Sequence, residues 1–482
     1  MREGVEPMRT TRRAARSAAA TGVCAVDRKT KPTKKSPQSA ALAGGDAAPL
    51  CLVGTAAQPI EVVAGRTGDH VAIFHLLQHV FNGPSAGEFQ ASHDEPTYDP
   101  ADRLLARRGE RLAGHVQVSR RTMHFAGRRI ASARLAHLGV LPEFRGQGIG
   151  RRLLAAAERK ALSGGAELLV AHTSTPRLLA RNGWVVCSRP SFAVATARNI
   201  LSSLSADDAQ PSVLPTAAPE AIDIRLWRQV EQDAVAGLYR QFAEQACGAV
   251  RRTHDYWRWL VSRHAYDRIY VAVLGREKFE LGDPRSRIVG YAALRDSQIL
   301  ELLVAPGHEA AARGLLARAC SDAIEHGDAS IRLDAPPGDP LFAAFQAAGG
   351  RGAQDAEPSN VFMAKLADPL AFLRELGDVM LQRARSADLP PTSELGLAVD
   401  GRKHLLRVTR RSAKLLPGKL GRSYLTTDSA GLTSLLLGYT PLARLLSTGQ
   451  IAASTQVAVA LAETLFPRLP VWLPPLDDLE AT

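Results

Sequence analysis

Leu135-Ala-His-Leu-Gly-Val-Leu-Pro-Glu-Phe-Arg-Gly-Gln-Gly-Ile-Gly150, continued by Arg151-Arg-Leu-Leu-Ala-Ala-Ala-Glu-Arg-Lys-Ala-Leu162, is the stretch that decides the fold. Residues 130–140 read as a buried strand, and Pro142, with no N–H for the ladder, ends it. Gly146, Gly148 and Gly150 then alternate through a turn, where glycine permits unusual φ and close backbone approach. Ile149, Leu153, Leu154, Ala157 and Ala161 recur at helical spacing, and Gly164-Gly165 stops that helix. Strand, glycine turn and helix start together gather unpaired N–H groups and the positive end of the helix dipole at one point. Such a point attracts an anion, usually phosphate.

Two common phosphate motifs are excluded. A Walker A loop ends in Gly-Lys-Ser/Thr, which is absent, and the dinucleotide fingerprint is G-x-G-x-x-G, whereas the spacing here is G-x-G-x-G. A glycine-rich turn without a ligand is the plainer alternative, and the combination of strand, arginine and helix argues against it.

Arg145-Gly-Gln-Gly-Ile-Gly150 resembles the Q/R-x-x-G-x-G/A pyrophosphate loop of the GNAT acyl-CoA N-acetyltransferases. The resemblance implies acetyl-CoA as cosubstrate and no metal. It implies that Arg145, Gly146, Gln147, Gly148, Ile149, Gly150 and Arg151 hold the pyrophosphate. Leu138, Gly139 and Val140 of the preceding strand would meet the pantetheine arm.

The chain has 482 residues, enough for two to four domains, and 45% apolar with 22% charged residues is ordinary for a soluble globular protein. No apolar run reaches the roughly 20 residues that span a bilayer, so no membrane role is expected. Five scattered cysteines without a C-x-x-C pair read as free thiols of a reducing cytoplasm, neither disulfide framework nor metal site. Of the net charge of +12, residues 1–40 hold ten Lys/Arg against three Asp/Glu. A basic tail suits nucleic acid or anionic lipid, but without interleaved aromatics a solvated disordered leader is the better reading, and nucleic acid is not expected. An Arg-rich, acid-poor start also imitates a transit peptide, or a start codon placed upstream of Met8.

The order of strands and helices resembles two GNAT folds in tandem, and the run from Tyr424 to Ile451, with Leu435-Leu-Leu-Gly438 and Leu446-Ser-Thr-Gly-Gln-Ile451, resembles the sterol-carrier-protein-2 fold; together the resemblances imply an α/β (α+β) protein. Residues 1–56 are expected as the disordered leader, 57–200 as an acetyl-CoA-binding GNAT domain and 201–221 as a linker. Residues 222–365 read as a second GNAT-like copy, and 366–482 as the sterol-carrier-like domain. Within the first copy, 85–100 reads as a polar loop whose Glu88, His93, Asp94 and Glu95 would attract a cationic amine. In the second copy the loop is Pro306-Gly-His-Glu-Ala-Ala-Ala-Arg-Gly314, where Glu309 would repel phosphate, so this copy is not expected to bind coenzyme A. Residues 369–384 are amphipathic and predict one helix.

This three-part layout resembles the Eis (enhanced intracellular survival) family of acetyltransferases. The resemblance implies a cytoplasmic homo-oligomer, a hexamer, that moves an acetyl group onto a primary amine: a polyamine, an aminoglycoside-like molecule or a lysine side chain. It implies catalytic roles for His172 and for the C-terminal carboxylate of Thr482 as general base. The family's proton-donating tyrosine falls on Leu179, which cannot donate a proton. Two alternatives stay open: a weakly catalytic acyl-CoA sensor or scaffold, and a lipid carrier using the C-terminal domain.

Overall fold

The computed structural model describes residues 59–208, 222–275, 287–352 and 360–477. The leader and Thr482 lie outside the described residues. In chain order the first part supplies β1 (Ile60–Ala64), α1 (His70–Phe81), α2 (Ala86–Ala91), β2 (Arg103–Arg108), β3 (Arg111–Phe125), β4 (Arg128–Val140), α3 (Ile149–Ser163), β5 (Leu168–Thr173), α4 (Pro176–Ala180), β6 (Val185–Ser188), β7 (Phe192–Thr196) and α5 (Ala197–Asp208). The middle part supplies β8 (Ile222–Leu226), α6 (Gln232–Gln245), α7 (His254–Ser262), β9 (Arg268–Leu274), β10 (Arg287–Arg295), β11 (Gln298–Val304), α8 (Glu309–Glu325), β12 (Ser330–Asp334), α9 (Phe342–Ala347), β13 (Arg351–Gly352) and β14 (Val361–Leu366). The last part supplies α10 (Pro369–Glu375), α11 (Gly377–Ser386), β15 (Thr392–Val399), β16 (Arg402–Thr409), β17 (Ala413–Pro417), β18 (Tyr424–Thr427), α12 (Ser429–Leu437), α13 (Leu442–Ser447), β19 (Ile451–Ala453) and α14 (Gln456–Leu465).

Three sheets result. The first runs β1-β2-β3-β4-β5-β14-β6 and the second β13-β7-β12-β11-β10-β9-β8, each with one parallel pair, β4–β5 and β11–β12 respectively. Two GNAT-like copies over residues 57–200 and 222–365 would, if independent, each complete its own sheet. Instead they trade a strand. β14 inserts between β5 and β6, with Phe362 opposite His172, and β7 inserts between β12 and β13, with Ala193 opposite Leu333. A short apolar run such as Phe-Ala-Val-Ala-Thr encodes a ladder and a face to bury, not the sheet that receives it. Two further expectations change. Helix α5 occupies the start of the expected linker and packs on α8. The helix expected over 369–384 is broken at Leu376, whose ψ of 12° leaves the helical region just before Gly377.

The first sheet is covered on both faces. On one, Ile149, Leu153 and Leu154 of α3 are almost fully buried against Val116, Leu135 and Leu169. Each such side chain contributes about 1.5–3 kcal/mol when withdrawn from water. On the other, Phe125, Ile130, Val170 and Phe362 form one continuous core with Leu432, Leu435 and Leu436 of α12. Residues 431–437 of α12 are all buried, so that helix has no solvent face, and its leucines pack all round. The third sheet, β17-β16-β15-β18-β19, stacks behind it.

After α14 the chain returns between the first two sheets. Trp472 N–H donates to Cys247 C=O at 2.9 Å, and Ser188 Oγ donates to Val471 C=O at 2.5 Å. Only glycine fits at Gly248, where φ is +103° and an added Cβ would lie 2.7 Å from the Trp472 carbonyl oxygen. The returning segment is then clamped by ions. Arg252 donates to both oxygens of Glu301 at 2.8 Å and to both oxygens of Asp477 at 2.9 Å, and neither Arg252 nor Glu301 has an exposed side-chain atom.

Candidate active site

The glycine turn delivers β4 into α3. Gly146 and Gly148 adopt φ of +77° and +74°, and a Cβ built on either would meet nothing within 4 Å. The turn is therefore an open cradle of main chain, with residues 145–148 exposed. The bond from Arg152 N–H to Gly148 C=O at 3.1 Å starts the helix. The N–H groups of Ile149, Gly150 and Arg151 precede it, so helix geometry gives them no internal acceptor. Cations surround the cradle. Arg108 donates to the Gln147 side chain, Arg145 Nε donates to Val140 C=O at 3.1 Å, and Arg108 and Arg111 stack on Phe144. The residues present suit a pyrophosphate: open N–H groups, the positive end of α3 and several guanidinium groups. In the second copy α8 begins with Glu309 in its first turn and His308 as a cap that makes no side-chain bond, the opposite electrostatic arrangement.

β4 and β5 pair only from Ser132–Leu168 to Leu135–Ala171, although β4 runs on to Val140. Beyond that point the two strands diverge. On the other side of β4, His115 pairs with Gly139 and Gln117 with Ala136, so Val116 faces both His137 and Leu138. This β-bulge puts His137 at φ +53°. In a regular strand His137 and Leu138 would face opposite sides. The bulge overturns that, and both line the cleft where the strands part. The cleft has a volume of about 370 Å³ and is also lined by Asn82, Pro84, His172, Leu179 and Asn360.

His172, at the end of β5, lies in this cleft. Its Nε2 is 2.6 Å from Asn360 Oδ1, and its ring stacks on Phe362 at 4.3 Å. Both partners belong to the exchanged strand or the residue before it. Leu179 is 4% exposed, in the wall of the same cleft. The structure thus brings Leu138, His172 and Leu179 together, with Gly139 and Val140 leading into the loop of 145–151. Thr482 lies outside the described residues, but the chain leading toward it is close. Leu473, Pro474 and Asp477 share a small cavity with His172 and Phe362, and Arg134 donates to Asp477 C=O at 3.3 Å.

The expected polar loop of 85–100 is more ordered and less acidic than its sequence suggests. Ser85 caps α2 by accepting from Glu88 N–H at 3.2 Å, and the Glu88 carboxylate accepts from Ser85 N–H and O–H in return. Glu95 is buried in an ion pair with Arg121. His93 stacks on His70 at 4.0 Å, and Tyr98 O–H lies 2.7 Å from His70 Nε2. Burial, with His70 and Arg103 alongside, pushes the His93 ring down to about 4. Of the four residues expected to lure a cation, then, Glu95 is neutralised and His93 is held in an aromatic stack. Sequence reasoning missed Asn360, Phe81 and Pro84 as cleft residues. The proline in Gly83-Pro84 was a visible signal, whereas Asn360 arrives with an exchanged strand and had none.

A GNAT acetyltransferase domain profile matches residues 62–187, and a sterol carrier protein domain profile matches residues 396–474. None of the curated proteins matches. Among solved structures, a GCN5-related N-acetyltransferase from Anabaena variabilis superposes with a TM-score of 0.66 at 16% identity, covering 86% of this chain and 99% of its own. A GCN5-related N-acetyltransferase from Kribbella flavida gives 0.63 at 18%, covering 87% and 98%. Residues 62–187 thus carry a GNAT acetyltransferase domain, and the fold of the chain is that of GCN5-related N-acetyltransferases. A sterol carrier protein domain follows toward the C-terminal end, over residues 396–474. Eis1 from Mycobacterium abscessus superposes at a TM-score of 0.58 with 17% identity, covering 86% and 99%.

Proposed function

We propose that the chain moves the acetyl group of acetyl-CoA onto a primary amine by direct attack of the amine on the thioester. Acetyl-CoA supplies the activated acyl group. The cradle of 145–151 takes the pyrophosphate, and the free edge of β4 at Leu138–Val140 takes the pantetheine arm where β5 has turned away. His172, oriented by Asn360, receives or relays the amine proton as the N–C bond forms and the C–S bond breaks, and the departing coenzyme A thiolate takes its proton from water. Main-chain N–H groups of the bulge polarise the acyl oxygen as it gains charge. The observation that carries this reading is the conjunction of an open two-glycine cradle with a strand gap that ends in a cleft holding His172. An acceptor such as a polyamine, an aminoglycoside-like amine or a lysine side chain enters from the side of α2. We further propose a homo-oligomer acting in the cytoplasm, the latter supported by the buried free thiols of Cys187, Cys247 and Cys320. Among the described residues no helix is long and apolar enough to cross a membrane.

Calorimetric titration of acetyl-CoA into wild type and Gly148→Glu, with thiol release measured over an amine panel, tests the proposal. Binding abolished in the variant, and amine-dependent release in wild type, is the expected result. The absence of acetyl-CoA binding in wild type would overturn it. The buried Leu179, at a proton donor's place, favours a second reading, an acyl-CoA sensor, for which binding without release on any amine is the signature. The solid packing of the C-terminal leucines on the back of the first sheet supports a structural role for that domain rather than lipid carriage.

A further inference from the structure

Beside the cleft lies a second, smaller recess of about 40 Å³, and Pro84 and His137 line both. That space holds a few waters or one carboxylate. Three guanidinium groups line it, from three distant segments: Arg103 of β2, Arg263 after α7 and Arg295 at the end of β10. Glu88 is the single carboxylate in the lining; Ser85 hydrogen-bonds it, and the charges of Arg295 and Arg263 also act on it, so one carboxylate faces three guanidinium groups.

Elsewhere this protein gives its buried arginines carboxylate partners: Arg121 has Glu95, and Arg252 has Glu301 and Asp477. Among the described residues, Arg103, Arg263 and Arg295 form no ion pair. Arg103 is 1% exposed and hydrogen-bonds only to neutral groups, Tyr98, His115 and Ser92. Arg263 stacks on Trp259 at 4.5 Å and donates to Leu476 C=O at 2.6 Å, while its buried Nε has no acceptor. Burial, with Arg121 and Arg295 nearby, pushes this guanidinium down to about 10 despite the opposing pull of Asp477. Buried charges are ordinarily paired, so an excess of cations around a small void beside a cleft implies an anion that arrives from outside.

We propose that this arginine recess binds a carboxylate carried by the acceptor, which narrows the amines named above to one that also bears a carboxylate, as an amino acid does. The assignment of an acceptor rests on the acetyltransferase reading above; the anion site itself does not. A planar carboxylate matches the fork of Arg263, which Trp259 holds in one plane. A second ammonium group at the same place would meet three guanidinium groups and one carboxylate.

The decisive pair is 5-aminopentanoate and pentylamine, which differ only in the carboxylate. Thiol release should favour 5-aminopentanoate by about 10–100-fold, expressed in KM, and Arg263→Gln or Arg295→Gln should bring the ratio toward one. Equal use of the two amines by wild type, or a preference that both variants retain, overturns the proposal. A second readout needs no turnover: glutarate titrated into the full chain should change Trp259 fluorescence saturably in wild type and not in Arg263→Gln. That response with no acetylation of any amine would sustain the anion site while the acetyltransferase reading fails. Acetylation without the response or the preference would do the reverse. The other source of an anion is the chain's own end, with Asp478, Glu480 and the Thr482 carboxylate. A glutarate response that appears only after removal of residues 478–482 would assign the recess to that end and overturn the proposal. Arg295→Gln, on a half-buried side chain, keeps the test available if Arg263→Gln does not fold.

Discussion

Replacing Arg252 by Met tests whether the ion cluster beneath the returning chain holds the molecule together. Four charge-assisted hydrogen bonds of 2.8–2.9 Å disappear, together with stacking over Tyr239 at 3.7 Å and Trp257 at 4.8 Å. Methionine fills most of the volume, so the cost is electrostatic rather than that of a cavity. Glu301 and Asp477 remain in a dry site, with Tyr291 O–H donating to one Glu301 oxygen. Breaking a buried ion pair by removing one partner costs about 3–5 kcal/mol. With a urea slope of about 3 kcal/mol/M, the unfolding midpoint should fall by roughly 1–2 M. Arg252→Lys should recover little, because an ammonium cannot serve two carboxylates bidentately. The triple replacement Arg252→Met, Glu301→Gln, Asp477→Asn removes every charge and should regain most of the loss, since an uncharged replacement of a buried cluster is often close to neutral. A midpoint in Arg252→Met within experimental error of wild type, or a triple variant less stable than the single one, would refute this account.

Gly139→Val should destabilise by about 1–3 kcal/mol, because a Cβ there sits 2.8 Å from Phe81 Cε2 and 3.0 Å from Val80 Cγ1, and thermal melts should register it. His172→Gln keeps a hydrogen-bonding group toward Asn360 but cannot carry a proton; kcat should fall about 10²–10⁴-fold with acetyl-CoA affinity little changed, and an unaltered kcat would remove His172 from the mechanism. The folded-state pKa of His93 lies below its unfolded value, so between about pH 6.5 and about pH 4 the unfolded chain binds the extra proton. Stability is then full above that window and falls with pH through it, and His70 and His115 act in the same direction. Urea midpoints should be lower at about pH 5 than at about pH 7, and His93→Gln should shrink the difference.

The glycine loop, α3 and the strand leading to them were legible because each depends on contacts near in sequence. Gly146 and Gly148 need positive φ, and Ile149, Leu153 and Ala157 need one helix face. What stayed hidden depends on distant partners. Val361–Leu366 reads as a good strand for either sheet, so nothing local marks its exchange with Phe192–Thr196. The bulge at His137 carries no glycine to announce it. Arg103, Arg263 and Arg295 are unremarkable one at a time, and only the folded chain reveals that they converge. Glu95 looked like an exposed acid because its partner, Arg121, is on another element.

The strand exchange also orders events in time. His172 and Asn360 are 188 residues apart in the chain, yet they close the same cleft. During synthesis the first sheet has a vacant slot until β14 leaves the ribosome, and β7 waits for a sheet whose other strands have not been made. Chain closure over such separations is slow. Neither half can be expressed as a finished unit, and a truncated product stopping before residue 361 would carry the glycine cradle without a completed cleft beside it.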